Sequence, residues 1–203
     1  MSLETRMPRT RAEMIESTRS KLLATARKAF EREGYAATSM DDFTAAAGLT
    51  RGALYHHFGD KKGLLAAVVK QIDDEMDQRL NAISDKAPDA WSALRERCRA
   101  YLRMAAEPEI RRIVLQDARA VLGMAPYAAQ QQCATSLAAL LQRLMDESVI
   151  EPADPQALAQ LINGGLTESA FWIADADAAS GSQRLDQALH ALDLLLRGLL
   201  RHA

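Results

Sequence analysis

Aromatic side chains make up only 5% of this 203-residue chain, and there are two cysteines and ten glycines. Cys98 and Cys133 fall in segments of helical pattern and match no metal-ligand spacing, so neither a disulfide framework nor a metal site is expected. No apolar run approaches the roughly 20 residues that cross a bilayer, and the first residues lack the apolar stretch of a signal peptide. The expectation is a cytoplasmic protein with reduced thiols and no membrane partner. Two-residue alternation is also missing, which argues against half-buried strands. The chemistry of an enzyme is absent as well: no Glu-x-x-His pair, no glycine-rich phosphate loop, and no Ser or Cys beside plausible His partners. No catalytic activity and no cofactor are therefore expected.

What is present is helical periodicity in a chain that is 48% hydrophobic and 26% charged, ordinary for a globular protein. The pattern predicts an all-α fold of about nine helices. The first runs from about Ala12 to Glu33, with Ile15, Leu22, Leu23, Ala26 and Phe30 on one face and Gly34 as a left-handed cap. A short helix capped by Thr38 or Ser39 ends at Ala47, and Thr50 caps a third that runs to about Phe58. Asp60 caps a long fourth helix from Lys61 to about Ser84. Five more come after it: Pro88-Asp89 to about Ala105, Pro108 to near Gly123, Pro126 to about Ser148, Pro155 to near Ala174, and Gln183 to about Arg201. Two domains are expected, 1–63 and 64–203.

The second and third helices, about 39–58, have the features of a helix-turn-helix. Phe43, Ala47, Leu49, Leu54 and Phe58 supply apolar contacts between the helices, and Gly48 a backbone angle that a side chain penalises. A helix starting after Thr50 points unsatisfied N–H groups outward, where a phosphate can accept them. Arg51 in its first turn can reach a guanine edge, and Gly52 permits close approach. Tyr55 and His56 lie one turn on. Residues 1–63 carry eleven Lys and Arg against eight Asp and Glu, and the rest fourteen against nineteen. The basic excess thus sits with the motif, in an arm of Arg6, Arg9 and Arg11 and a cluster of Arg51, Lys61 and Lys62.

The run GYAATSMDDFTAAAGLTRGALYHHFGDKKGLL resembles the DNA-binding domain of the TetR family of bacterial repressors. The match extends from Arg19 to about Val69 and includes Leu54, Tyr55, His57 and Phe58, with Lys61 and Leu64 at family spacing. The resemblance implies that Thr38 or Ser39 touches phosphate, that Thr50, Arg51, Gly52, Tyr55, His56 and His57 form the recognition surface, and that Lys61 anchors the DNA backbone. Thr44 departs from the small alanine usual at its position. Its hydroxyl is expected to bond back to the preceding turn.

A helix-turn-helix this small reads a half-site, so a two-fold dimer on a near-palindrome is expected. Leu185, Leu192 and Leu199 repeat every seven residues, interleaved with Leu189 and Leu196, and Gly164-Gly165 lets another helix approach closely. The resemblance implies dimerisation through these last two helices and a small-molecule effector pocket among the middle ones. Tyr101, Gln116, Asp117 and Asn163 are the candidate effector contacts, and Trp172 is read as core or dimer interface. The expected function is a ligand-released repressor, a homodimer on double-stranded operator DNA. The alternatives are a helical interaction module with a vestigial helix-turn-helix, or an activator of the same fold.

Overall fold

The computed structural model of the chain describes residues 10–48, 50–123, 127–177 and 180–201, with backbone alone at 47 and 127–132. Nine helices and no strand occur among the described residues. The chain divides into two compact units, one ending at Val68 and one beginning at Val69. Arg6, Arg9 and Leu49 of the expected basic arm and helix lock lie outside the described residues, as does the side chain of Ala47.

In the first unit, α1 (Arg11–Glu33) opens with a capping box. The Thr10 hydroxyl accepts from the Glu13 amide at 3.2 Å, and the Glu13 carboxylate accepts from the Thr10 amide at 2.7 Å. Its buried stripe is Leu22, Leu23, Ala26 and Phe30. Ile15, expected on that face, is 43% exposed and Met14 is 52% exposed, because the packed part of the helix begins at Leu22. Gly34 does hold a positive φ of 82°, but its ψ of 162° is extended and not left-handed helical. α2 (Met40–Ala47) and α3 (Arg51–Phe58) each contact α1 and one another, and bury Phe43 and Leu54. Between them Gly48 adopts φ 61°, ψ 37°, the left-handed conformation that glycine takes without steric cost. Thr44 is buried, and its hydroxyl donates to the carbonyls of Met40 at 2.9 Å and Asp41 at 3.1 Å, the expected back-bond.

α4 (Lys61–Lys86) starts where the Asp60 carboxylate accepts from the Gly63 amide at 2.6 Å, and Leu64, Leu65 and Val68 are buried in its first two turns. A side-chain carbon at Gly63 would lie 2.0 Å from the Phe58 carbonyl oxygen. Backbone has therefore closed onto backbone at the end of α3, a close approach only glycine allows.

The second unit builds on α5 (Ala90–Met104), capped by Asp89, whose carboxylate accepts from the Ser92 amide at 2.7 Å. Next comes α6, π-helical over Ile110–Ala118 and α-helical over Arg119–Leu122, where the sequence predicts an ordinary helix. Wide π-turns are rare and frequently mark functional sites. α7 (Tyr127–Asp146) and α8 (Pro155–Ala174) form the most extensive pairing, and α9 (Gly181–Arg197) packs on α5 and α8. Arg95 and Arg99 of α5 clamp Asp193 of α9, with Arg95 Nε 3.1 Å from the carboxylate. These two guanidiniums, Arg95 foremost, hold the Asp193 carboxyl below the ordinary carboxylate range. α9 stops at Arg197, short of the expected Arg201. Leu199 to Arg201 instead return antiparallel beside Val149 to Glu151, with the Glu151 amide donating to the Leu199 carbonyl at 3.0 Å.

The two kinds of glycine separate experimentally. Gly63→Ala is expected to destabilise the protein by about 1–3 kcal/mol or more, since the clash is with backbone. Gly164→Ala, whose added carbon meets nothing within 4 Å, should stabilise the single chain by up to about 1 kcal/mol. Equilibrium denaturation of the two variants beside the parent reads both signs.

Candidate nucleic-acid interface and ligand cavity

The leading turn of α3 presents the candidate DNA contacts. Thr50 caps it by accepting from the Ala53 amide at 3.2 Å, so the amides of Arg51 and Gly52 have no partner inside the helix. Arg51, Gly52, Tyr55 and His56 are exposed, and His57 is half-buried against Phe58, ring centroids 6.0 Å apart. Arg51 has neighbours that prepare it. The Tyr55 hydroxyl and the Asp41 carboxylate both favour its charged form, the latter from 3.0 Å. Such an exposed ion pair is weak, so a phosphate or a guanine can displace it. A carbon added at Gly52 would meet only the Thr50 hydroxyl at 3.7 Å, which leaves its surface bare.

The remaining candidates divide. Ser39 is exposed and caps α2, accepting from the Asp42 amide at 3.4 Å. Thr38 is withdrawn from the surface: it is buried, and its hydroxyl donates to the Gly34 carbonyl at 2.8 Å. Of the two candidates for a phosphate contact, only Ser39 therefore stands at the surface, and Thr38 is turned into its own unit. Lys61 leans back on its own unit, its ammonium 3.5 Å from the Ala36 carbonyl and 4.5 Å from the Tyr35 ring centroid.

In the second unit a cavity of about 110 Å³ opens between α4, α5, α6, α7 and α8. Two of the four candidate effector contacts, Tyr101 and Asn163, line it. Gln116 and Asp117 do not. The Gln116 amide donates to the Ala174 carbonyl at 3.0 Å, and Asp117 pairs with Arg112 at 3.5 Å. Gln116 and Arg111, which donates to the same carbonyl at 2.8 Å, thereby satisfy the carboxyl end of α8.

Sequence reading missed Asp73, Asp77, Thr167 and Cys133 in the lining. Asp73 and Asp77 sit one turn apart on α4, inside an acidic run that reads as a solvated face. Burial and then the neighbouring Asp77 and Asp74 push the Asp73 carboxyl up to about 6. Burial likewise raises Asp77, against the opposing pull of Arg97. Tyr101 is pushed up to about 12 by burial, although its hydroxyl is bonded to Thr167. Cys98 rises to about 12 and Cys133 also rises, both chiefly by burial, which disfavours the reactive thiolate.

A second concavity, about 490 Å³, is a groove on the surface between α8 and α9. Gly165, Leu161, Trp172 and Leu195 line it, and Leu161 and Leu195 are 75% and 72% exposed. Gly164 and Gly165 are exposed, with nothing within 4 Å of an added carbon at either. The leucine stripe divides differently from the heptad expectation. Leu192 and Leu196 are buried within this one chain, Leu185 and Leu189 are half-buried, and Leu199 is half-buried beyond the helix end.

The chain matches the family of bacterial regulatory proteins of the tetR type over residues 22–68 and the tetracyclin repressor-like carboxyl-terminal domain over residues 91–199. It is 30% identical over 154 residues to the transposon Tn10 TetC protein of Escherichia coli, covering 75% of this chain and 78% of that one. It is 31% identical over 111 residues to the HTH-type transcriptional regulator AcrR of Shigella flexneri, covering 54% of this chain and 52% of that one. A TetR-family regulator from Pectobacterium atrosepticum, solved by crystallography, superposes with a TM-score of 0.89 at 63% identity, over 96% of this chain and 99% of that one.

The raised Asp73 carboxyl makes a stability prediction. Unfolded, it ionises near 3.8; folded, near 6, so the native state holds the proton between those values. Stability is therefore lost as pH rises from about 4 to 6 and is not regained above. Asp73→Asn should raise the melting temperature at pH 7.5, with the gain shrinking towards zero near pH 4. No gain at pH 7.5 would place Asp73 in solvent.

Proposed function

The chain belongs to the TetR family of bacterial transcriptional regulators, and from that premise we propose that it is a ligand-released repressor working as a homodimer on a near-palindromic operator. The observation that carries the DNA-binding part is the exposed leading turn of α3, with Arg51 and Tyr55 side by side at its surface and free amides beneath them. The amides and the partial positive end of the helix suit a phosphate, and the guanidinium suits a guanine edge in the major groove. Ser39 at the start of α2 adds a second backbone contact.

The bare groove of α8 and α9 supports the dimer. Leu161 and Leu195 project from a helix pair on which Gly164 and Gly165 leave room for another helix, and none of the described residues covers them. Two copies related by a two-fold axis would bury this face against itself, and a two-fold dimer of helix-turn-helix domains reads half-sites one DNA turn, about 34 Å, apart. The cavity supports ligand control. α4, whose side chains Asp73, Met76, Asp77 and Leu80 line it, is one continuous helix from Lys61, so a ligand that favours one position of α4 biases the DNA-binding residues. A hundredfold loss of operator affinity requires about 2.7 kcal/mol of differential binding.

Selection of bound sequences from random duplex DNA tests the first claim. The purified protein should enrich a near-palindrome, and Arg51→Ala should lose it through a penalty of about 1–3 kcal/mol, with Tyr55→Ala also weakened. Enrichment unchanged in both variants would remove α3 from recognition. For the dimer, Gly165→Leu should sediment as a monomer with unchanged helix content and bind the selected duplex more weakly. A dimer that survives it would place the interface elsewhere.

A further inference from the structure

We propose that the cavity of the second unit takes a small primary ammonium ion, an apolar body of about one aromatic ring whose three N–H donors meet Asp73, Asp77 and Asn163. This deepens the ligand-release reading and rests on it only for the effect on DNA binding. Three observations carry it.

The carboxylates of Asp73 and Asp77 face one cavity from successive turns of α4, and neither has a hydrogen bond or ion pair among the described residues. The cations nearest to them are committed elsewhere. Arg119 in the lining lies 4.2 Å over the Phe171 ring and 4.0 Å from Asp175, and Arg97 donates to the Asn81 amide oxygen at 2.8 Å. The lining therefore sets two carboxylates against one cation, Arg119, while Arg97 acts on Asp77 and Lys70 on Asp73 without bonding to either.

Asn163 is the second observation. It is only 7% exposed, it lines the same cavity, and its side-chain amide has no hydrogen-bond partner among the described residues. Its polar atoms open onto the cavity, where a ligand can supply the partner they lack within the protein. Its oxygen with the two carboxylates gives three acceptors, the number a primary ammonium requires.

The rest of the lining is the third. Met76, Ile110, Val114 and Phe171 are apolar and suit a ring, and a cavity of this order holds a body of roughly benzene size. A hydrated divalent cation needs about six oxygen ligands and finds far fewer here. An anion meets two carboxylates.

Charge also sets a pH dependence. Around Asp73 and Asp77 stand Lys70 and Asp74 on their own helix, Tyr101 on α5 with Arg97 acting on Asp77, Arg119 on α6 and Cys133 on α7. The Asp73 carboxyl ionises near 6 in the empty protein, and a bound cation holds it ionised at lower pH, so binding releases a proton below about pH 6.

Titration calorimetry of the full chain with benzylammonium, benzyltrimethylammonium, benzyl alcohol and benzoate tests this. Benzylammonium should bind at least tenfold more tightly than the other three, with affinity rising about tenfold from pH 5 to pH 7.5. Asp73→Asn should weaken it at least tenfold and reduce the pH dependence to the smaller part that Asp77 contributes, while leaving the protein folded and more stable at pH 7.5. Asn163→Leu should weaken it without changing that dependence. Equal binding of the quaternary ion, preference for the alcohol or benzoate, binding of magnesium or calcium in its place, or no binding at all would each overturn the ammonium site. Release of the selected DNA is read separately by fluorescence anisotropy. Benzylammonium that binds without releasing DNA leaves the site standing and removes ligand release, whereas release by benzoate alone leaves ligand release standing and removes the site.

Discussion

The left-handed residue at position 48 sets the direction in which α3 leaves α2, and the surface offered by the first unit depends on it. The far end of α3 is fixed in the same way: Gly59 turns with φ 77°, and Gly63 lets the backbone of α4 close on the Phe58 carbonyl. The helix is thus bracketed by backbone geometry at both ends, while between them only Leu54 is fully buried. This arrangement holds the helix while leaving Arg51, Gly52, Tyr55 and His56 free to face a groove. Recognition needs that combination, because a side chain reads a base edge only if its backbone is already in place.

In the second unit α8 faces two ways. Asn163, Thr167, Ala170 and Phe171 line the cavity, while Leu161, Ile162, Gly165 and Trp172 line the open groove. Its carboxyl end is tied down by Arg111 and Gln116 from the π-helical part of α6, which also contributes Ile110, Val114 and Leu115 to the cavity. On the proposed reading, cavity occupancy and the dimer face therefore share one rigid element, the physical form that coupling between two sites requires.

Much of this was legible in the sequence, and what was not has identifiable causes. Helix starts were readable because Ser39, Thr50 and Asp89 accept the amide bonds their types suggest. The turn at Gly48 was readable because glycine there had one physical purpose. Gly63 gave no such signal, since its constraint comes from Phe58, five residues away in sequence but in contact through a closed turn. The π-helical stretch also left no mark, because Ile110, Ile113, Leu115 and Ala118 fit an amphipathic α-helix nearly as well. Burial was the other blind spot. Thr38 reads as a cap equal to Ser39 until its hydroxyl is seen on Gly34. Asp73 and Asp77 read as solvated until α5 and α8 cover them. Leu192 and Leu196 read as a dimer seam, although this chain alone buries them.

The central claim is that two copies of α3 read one duplex in a two-fold arrangement. Hydroxyl-radical footprinting of the protein on its selected duplex tests it most directly. The account predicts two equal protected patches related by symmetry and centred about one helical turn apart, roughly 34 Å along the DNA. A single patch, or two that are unequal and unrelated by symmetry, would contradict it.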